Sequence, residues 1–128
     1  VKGMSAAARI VKPGGLIILA CECREGVPAG SAFERLLHRA ATLEELAAQL
    51  DAPGTTLPEQ WQVQILAQVR RKAEVLLHSS LPDDAVLRCH LQPCHDVSAT
   101  VCERLQALDL EARVAVLPQG PLTIPQLA

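Results

Sequence analysis

A short apolar run after a glycine turn is the feature that most constrains how this chain folds. Residues Leu16 to Cys21 are all apolar, and they directly follow Pro13-Gly14-Gly15. A run of this length after a Gly-Gly turn is typical of a strand that is buried on both faces, as in a parallel sheet. It is too short to cross a bilayer, which takes about 20 apolar residues. The sequence therefore predicts a buried parallel strand at 16–21.

The rest of the chain alternates between strand-like and helix-like segments. Three more strands are predicted at 74–78, 85–91 and 113–117. Helices are predicted at 3–11, 31–40 and 42–50, over about 15 residues after Thr56, and at 97–108. This order predicts an open α/β fold of Rossmann-like layers, with a mainly parallel sheet and flanking helices. With 128 residues, we expect a single α/β domain over 1–117 and a proline-rich tail over 118–128.

Three of the predicted helices begin with the capping-box pattern, in which two side chains satisfy free backbone N–H groups reciprocally. The pairs are Ser31 with Glu34, Thr42 with Glu45, and Thr56 with Glu59. In the third of these helices Trp61, Ile65 and Val69 recur every four residues, so they share one face and predict a buried stripe.

Composition excludes several classes of partner. The net charge is −2, and the two aromatic residues are Phe33 and Trp61. We therefore expect neither nucleic acid nor an anionic membrane as a partner. Five cysteines without an export signal predict free thiols in a reducing compartment, which makes the cytoplasm the expected location.

The cysteines and histidines do not have the spacing of a metal site. Structural zinc prefers cysteine pairs two to four residues apart on tight turns, followed by a second such pair. The candidates here are Cys21 with Cys23, Cys89-His90 and Cys94-His95. We expect no metal ligands among them. Instead, Cys21, Cys89 and Cys102 are predicted to be small buried residues, and Cys23 and Cys94 to lie at strand ends.

The loop after the first strand is the most suggestive local feature. Glu22 and Arg24 follow the strand directly, and ligands of open α/β sheets bind outside the carboxyl ends of the strands. The alternative is an ordinary solvated loop. Two further residues stand out: Lys2 is a lone lysine of a kind that is usually an idle surface charge, and Trp61 is either a core residue or part of a cleft.

Taken in order, several segments resemble the C-terminal domain of the nickel-dependent lactate racemase family. They are Lys2-Gly3 before a helix, Val11 to Gly15 before the strand, Glu22 to Gly26 after it, and the closing Val114 to Gly120 and Leu122 to Pro125. The resemblance implies that the full-length protein is an isomerase that racemises or epimerises a small 2-hydroxy acid. It also implies that this chain alone is inactive, since the catalytic residues belong to the N-terminal domain.

By this resemblance, Lys2 holds the substrate carboxylate and Trp61 forms an apolar wall. Glu22 and Arg24 then line the cleft between this chain and its own N-terminal domain. The family's nickel-pincer nucleotide is bound by that N-terminal domain, so no cofactor is expected here. The chain departs from the family pattern at 27–30, where Val-Pro-Ala-Gly replaces a glycine-rich segment.

Two other classes of protein remain as alternatives. The segment Lys12 to Leu16 also looks like the turn before a late strand of class I methyltransferases. A non-catalytic interaction domain, which binds a partner through its leucine and cysteine faces, is the other alternative. A large exposed apolar patch would favour either such a domain or a lost interface between domains.

Overall fold

Six helices and three strands form the regular structure of residues 1–54, 56–108 and 112–126, which a computed structural model describes. The strands are β1 (Gly15–Ala20), β2 (Ala73–His78) and β3 (Gln92–Pro93). The helices are α1 (Lys2–Ala8), α2 (Ala32–Leu37), α3 (Leu43–Leu50), α4 (Gln60–Lys72), α5 (Asp83–Arg88) and α6 (Val97–Ala107). A 3-10 turn over Gly120–Leu122 lies near the end of the described residues.

The sheet is parallel and has the order β1-β2-β3. β1 and β2 pair along their whole length, from Gly15 opposite Ala73 to Ala20 opposite His78. β3 adds two residues beside the second half of β2. These pairings confirm the predicted α/β class and the strands predicted at 16–21 and 74–78.

The turn before β1 requires glycine at both Gly14 and Gly15. Gly14 has a φ of 76°, a conformation that other residues rarely adopt. A Cβ atom on Gly15 would lie 2.7 Å from a methyl carbon of Val11 and 2.9 Å from the carbonyl oxygen of Lys12. The amide of Gly14 donates to the carbonyl of Lys72 at 2.8 Å, so the turn also joins β1 to the start of β2.

The core lies between the sheet and the helices that precede β2. Ile17 and Val75 of the sheet pack in one cluster with Val63 and Leu66 of α4. The buried face of α4 is therefore not the predicted stripe, because Trp61 is 53% exposed and Ile65 is only half-buried. The buried residues of α4 are related by steps of three and four residues. Such steps follow one face of a helix more closely than steps of four alone.

Of the three predicted capping boxes, only the second forms completely. Thr42 Oγ1 accepts from the Glu45 amide at 3.2 Å, and Glu45 Oε2 accepts from the Thr42 amide at 3.4 Å. At the start of α2, Ser31 Oγ accepts from the Glu34 amide at 3.0 Å, but the Glu34 carboxylate accepts from Gly30 instead.

The third predicted box is wrong. α4 begins at Gln60 rather than near Thr56, after Glu59 in a left-handed conformation with a φ of 62°. The Gln60 side chain accepts from the Leu57 amide at 2.6 Å. That hydrogen bond satisfies a free N–H group before the helix and takes the place of the predicted reciprocal pair.

Two of the predicted strands are also wrong. Residues 85–91 lie mostly in α5, whose first turn carries Asp83 and Asp84; negative charges there favour a helix N-terminus. Residues 113–117 have no regular structure. Val114 and Val116 are exposed there, and no strand of the described sheet offers them a partner.

The cysteine prediction was partly wrong as well. Cys21 and Cys102 are exposed and Cys89 is half-buried, whereas Cys94 is the buried cysteine. Cys21 lies just beyond the last residue of β1. Cys102 lies on α6, a helix that buries none of its residues.

The tail folds back on the first helix. The 3-10 turn over Gly120–Leu122 contacts α1, where Gly120 approaches the Cα of Gly3. Among the described helices, none has the length and apolar character needed to cross a membrane.

Candidate functional site

The carboxyl edge of the sheet brings two loops together. Because β1 and β2 are parallel and in register, both strands end at the same edge. The amide of Cys21 then donates to the carbonyl of His78 at 3.0 Å. The loop over 21–26, here called the β1 loop, therefore leaves the sheet beside the segment that follows β2.

Ser80 fixes the β1 loop in place. Its amide and its hydroxyl both donate to the carbonyl oxygen of Glu22, at 3.2 and 2.7 Å. Within the loop, the Gly26 amide donates to the carbonyl of Cys23 at 2.8 Å, and Cys23 has a φ of 54°. Sequence reasoning missed Ser80; the only signal was a serine pair directly after the second predicted strand.

The charged side chains of the β1 loop pair with each other in solvent. Arg24 Nε lies 2.8 Å from Glu22 Oε1, with the two side chains 80% and 58% exposed. An ion pair this exposed contributes at most about 1 kcal/mol. A ligand carboxylate can therefore displace Glu22 from the guanidinium at little cost.

Lys2 lies at the same edge of the sheet as the β1 loop. A Cβ atom on Gly3 would lie 3.6 Å from Leu19, so α1 begins beside the last residues of β1. The other end of α1 lies at the opposite edge, where Lys72 Nζ donates to the carbonyl of Ala8 at 2.6 Å. Lys2 itself is exposed. The first turn of α1 thus presents an ammonium group on the side where β1 ends.

Trp61 lies in the first turn of α4, the end of the helix that is far from the amino edge of the sheet. The amino edge is the edge at which β1 and β2 begin. The last residue of α4, Lys72, bonds to Gly14 at that edge, and the helix extends about 20 Å away from it. Just before α4, Leu57 and Pro58 line a depression together with the first turn of α2. In the described residues no hydrogen bond or ion pair links Trp61 or Lys2 to the β1 loop.

The thiols of Cys21 and Cys23 face each other across Glu22. Their sulfur atoms are 3.3 Å apart and share a hydrogen bond. Burial, together with this hydrogen bond, raises the pKa of Cys21 to about 11. Burial also raises the pKa of Cys89. At neutral pH the Cys21 side chain is therefore a protonated thiol.

Two of the four histidines are held by hydrogen bonds to the backbone, whereas His38 and His95 are exposed, and His95 Nε2 lies 3.2 Å from Asp83 Oδ2. His78 Nδ1 bonds to the carbonyl of Cys94 at 2.8 Å, and His90 Nε2 to the carbonyl of Leu37 at 2.9 Å. Across 1–54, 56–108 and 112–126, no cluster of three or more histidine, cysteine or acidic side chains could hold a metal ion. These residues do not fit a nickel centre.

Two depressions of the described surface contain none of the predicted substrate residues. One, of about 350 Å³, is lined by Ala32, Leu36, Leu57 and Pro58 beside two arginines. Another, of about 210 Å³, lies between α3, α4 and β3 and includes His90. Lys2, Glu22 and Arg24 instead lie on open surface.

The fold defines a small α/β domain with an open surface at the carboxyl edge of its parallel sheet. The chain belongs to the lactate racemase C-terminal domain family, whose model matches residues 1–124. This match confirms the resemblance seen in the sequence, and it favours that family over a class I methyltransferase.

Two curated relatives and one solved structure agree with the family match. The chain is 28% identical over 123 residues to the lactate racemase of Thermoanaerobacterium thermosaccharolyticum and 29% identical over 122 residues to that of Lactiplantibacillus plantarum. Each match covers 94% of this chain. The structure of the lactate racemase apoprotein from T. thermosaccharolyticum matches 93% of the chain, with 27% identity and a TM-score of 0.76. The chain spans 29% of the length of each of these relatives.

Proposed function

We propose that this chain is the substrate-cleft domain of a larger 2-hydroxy acid racemase or epimerase. The observation that carries the proposal is the shared position of Lys2 and the β1 loop at the carboxyl edge of the sheet in a member of this family. Ligands of open α/β sheets bind at this edge. The chain alone is inactive, since it contributes binding groups and no catalytic residue.

In this proposal Lys2 binds the substrate carboxylate. A 2-hydroxy acid must be held by its carboxylate while the hydrogen on C2 is removed and returned, because misplacement of the reacting carbon slows the reaction. An ammonium group makes a charge-assisted hydrogen bond to a carboxylate, which is stronger than a neutral one. The exposure of Lys2 leaves its ammonium group free for that bond.

The remaining contacts have smaller roles. Arg24 provides a second cation near the carboxylate once its exposed bond to Glu22 is broken. Trp61 provides an apolar surface that excludes water when the N-terminal domain closes over it. Its 53% exposure supports this role, because a core tryptophan would be covered within the chain itself.

The nickel-pincer nucleotide of the family belongs, in this proposal, to the N-terminal domain. The described residues of this chain do not fit the cofactor, since no cluster of three or more histidine, cysteine or acidic side chains among them could hold a metal ion. This chain therefore takes part in binding and orientation only. Its partners are the N-terminal domain and the small 2-hydroxy acid, and five free cysteines support the cytoplasm as its location.

The test is kinetic and uses the full-length parent protein, matured with its cofactor and with its nickel content measured. Single-enantiomer 2-hydroxy acids are incubated with it, and the opposite stereoisomer is followed by chiral chromatography. We expect Lys2→Ala to raise KM by about 10- to 100-fold, the loss of one charge-assisted hydrogen bond. The matched control is Lys12→Ala, which removes another exposed lysine at the amino edge of the sheet.

Two results would overturn the proposal. One is equal kinetics for Lys2→Ala, Lys12→Ala and the unmodified protein. The other is a nickel-loaded parent that converts none of the 2-hydroxy acids offered.

A further inference from the structure

Two cysteine thiols, those of Cys21 and Cys23, lie close together on either side of Glu22 in the β1 loop. Cys21 is exposed and Cys23 is half-buried, so small molecules reach at least the first of them. Their sulfur atoms are 3.3 Å apart. In a disulfide the separation is about 2.0 Å, so the two sulfur atoms need to approach by little more than one ångström.

The backbone around the pair holds the thiols in this arrangement. Cys21 is held against the second strand, since its amide donates to the carbonyl of His78 at 3.0 Å. The left-handed conformation of Cys23 then turns the chain, and the Gly26 amide closes that turn. Ser80 holds the carbonyl of Glu22 between the two cysteines. Hydrogen bonds therefore fix the backbone on both sides of the two thiols.

We propose that Cys21 and Cys23 are a redox-sensitive dithiol that is oxidised to an intramolecular disulfide by a low-molecular-weight disulfide. Metal binding is the weaker alternative, since the described residues supply no third ligand. The inference does not rest on the proposed function, because it concerns the chemistry of the chain itself.

The reaction is a pair of thiol–disulfide exchanges. One cysteine thiolate attacks a sulfur of oxidised glutathione, which breaks the glutathione S–S bond, forms a mixed disulfide and releases one glutathione thiolate. The second cysteine then attacks the protein sulfur of the mixed disulfide and releases the second glutathione thiolate. Two protein thiols are oxidised, one small disulfide is reduced, and both protons end on the released glutathione.

Ring closure changes the loop that carries Glu22 and Arg24. The disulfide ring contains the backbone of Glu22 and constrains it on both sides. The carbonyl bonded to Ser80 and the carboxylate paired with Arg24 both belong to this residue. The oxidation state of the pair is thereby transmitted to the charged end of the loop.

The test equilibrates the chain with oxidised and reduced glutathione in fixed ratios. The mixture is quenched in acid, free thiols are alkylated, and the protein is digested with trypsin. Because Lys12 precedes a proline, cleavage after Arg9 and Arg24 leaves both cysteines on one peptide, residues 10–24. We expect this peptide to lose two hydrogen atoms in mass and to take up no alkylating agent.

Three variants distinguish the possible outcomes. Cys21→Ser and Cys23→Ser should abolish the internal disulfide and leave a glutathione adduct on the remaining cysteine of the peptide. Cys102→Ser, which removes another exposed thiol, should leave the oxidation midpoint of the pair unchanged. Thermal unfolding of each variant shows that it is folded. A doubly glutathionylated or unmodified peptide, or a disulfide between Cys23 and Cys89, would overturn the proposal.

Discussion

The region around α4 and β2 buries most of its apolar side chains. The region that consists of α6 and the segment after it leaves most of its apolar side chains exposed. Val63 of α4 and Val75 of β2 are completely buried within the chain. By contrast, α6 buries none of its residues, and apolar side chains that follow it, such as Val116 and Leu122, are 78% and 82% exposed.

The difference indicates which surface is complete within this chain and which is not. Single exposed apolar side chains are normal, but a concentration of large ones in one part of a chain is typical of an interface. Among the described residues, six of the eight exposed large apolar side chains lie on α6 or after it, namely Leu105, Leu108, Val114, Val116, Leu122 and Ile124, and the other two are Trp61 of α4 and Leu87 of α5. This distribution supports the proposed N-terminal domain as the partner that covers part of the surface.

The largest effect is expected in the complete region. Leu46 of α3 is fully buried, and Leu46→Ala should lower the free energy of unfolding by about 2–5 kcal/mol through lost contacts and a residual cavity. Leu105→Ala on α6 is the matched control, with an expected change below about 0.5 kcal/mol. Urea unfolding followed by circular dichroism measures both. Equal losses for the two variants would contradict the contrast between the regions.

A second prediction addresses the exposed region. Val116→Asp should leave the stability of the chain within about 0.5 kcal/mol of the original, because its side chain has few contacts to lose. Its affinity for the separately produced N-terminal part should fall by about tenfold or more, as for a charge placed in an interface. Calorimetric titration measures the affinity, and Lys12→Ala is the control. Unchanged binding would show that Val116 stays in solvent in the full-length protein.

Helix capping gives a third, smaller contrast. Thr42→Ala removes the hydroxyl of the one complete capping box and should cost about 1 kcal/mol. Thr56→Ala removes a threonine whose predicted box does not form, so we expect no measurable loss. Urea unfolding measures the free energy of unfolding of both variants. Losses of similar size would contradict this contrast and would favour a helix that begins near Thr56.

The smallest effect concerns alkaline pH. The pKa of Cys21 is raised from 9.0 to about 11 in the fold, so the unfolded chain loses this proton first as the pH rises. The free energy of unfolding should therefore fall between pH 9 and 11. Cys21→Ser should make this fall shallower, while Cys102→Ser should not. Identical pH profiles for the two variants would contradict a raised pKa at Cys21.

How much of the fold the sequence predicts depends on which interactions determine each segment. β1 and β2 were predicted because continuous apolar runs with turn signals are local features. Residues 85–91 were assigned to a strand because Val86 and Leu91 are apolar, and the helical effect of Asp83 and Asp84 was overlooked. The strand predicted at 113–117 needed a neighbouring strand, which is a tertiary condition that no local pattern reveals.

The residues of the candidate site also differ in whether local sequence predicts them. The β1 loop was predicted because it follows a recognisable strand, and the roles of Lys2 and Trp61 came from the family resemblance. The hydrogen bonds from Ser80 to Glu22 join residues 58 positions apart, so their pairing depends on the register of the two strands. The contact between the tail and α1, in which Gly120 approaches Gly3, is even more remote in sequence.

The most direct test of the central claim is a crystal structure of the full-length, cofactor-loaded parent with a bound 2-hydroxy acid. The account predicts the substrate at the carboxyl edge of this sheet, with its carboxylate within hydrogen-bond distance of Lys2 Nζ and with Trp61 covered by the N-terminal domain. A substrate bound away from this edge, with Lys2 still in solvent, would contradict it.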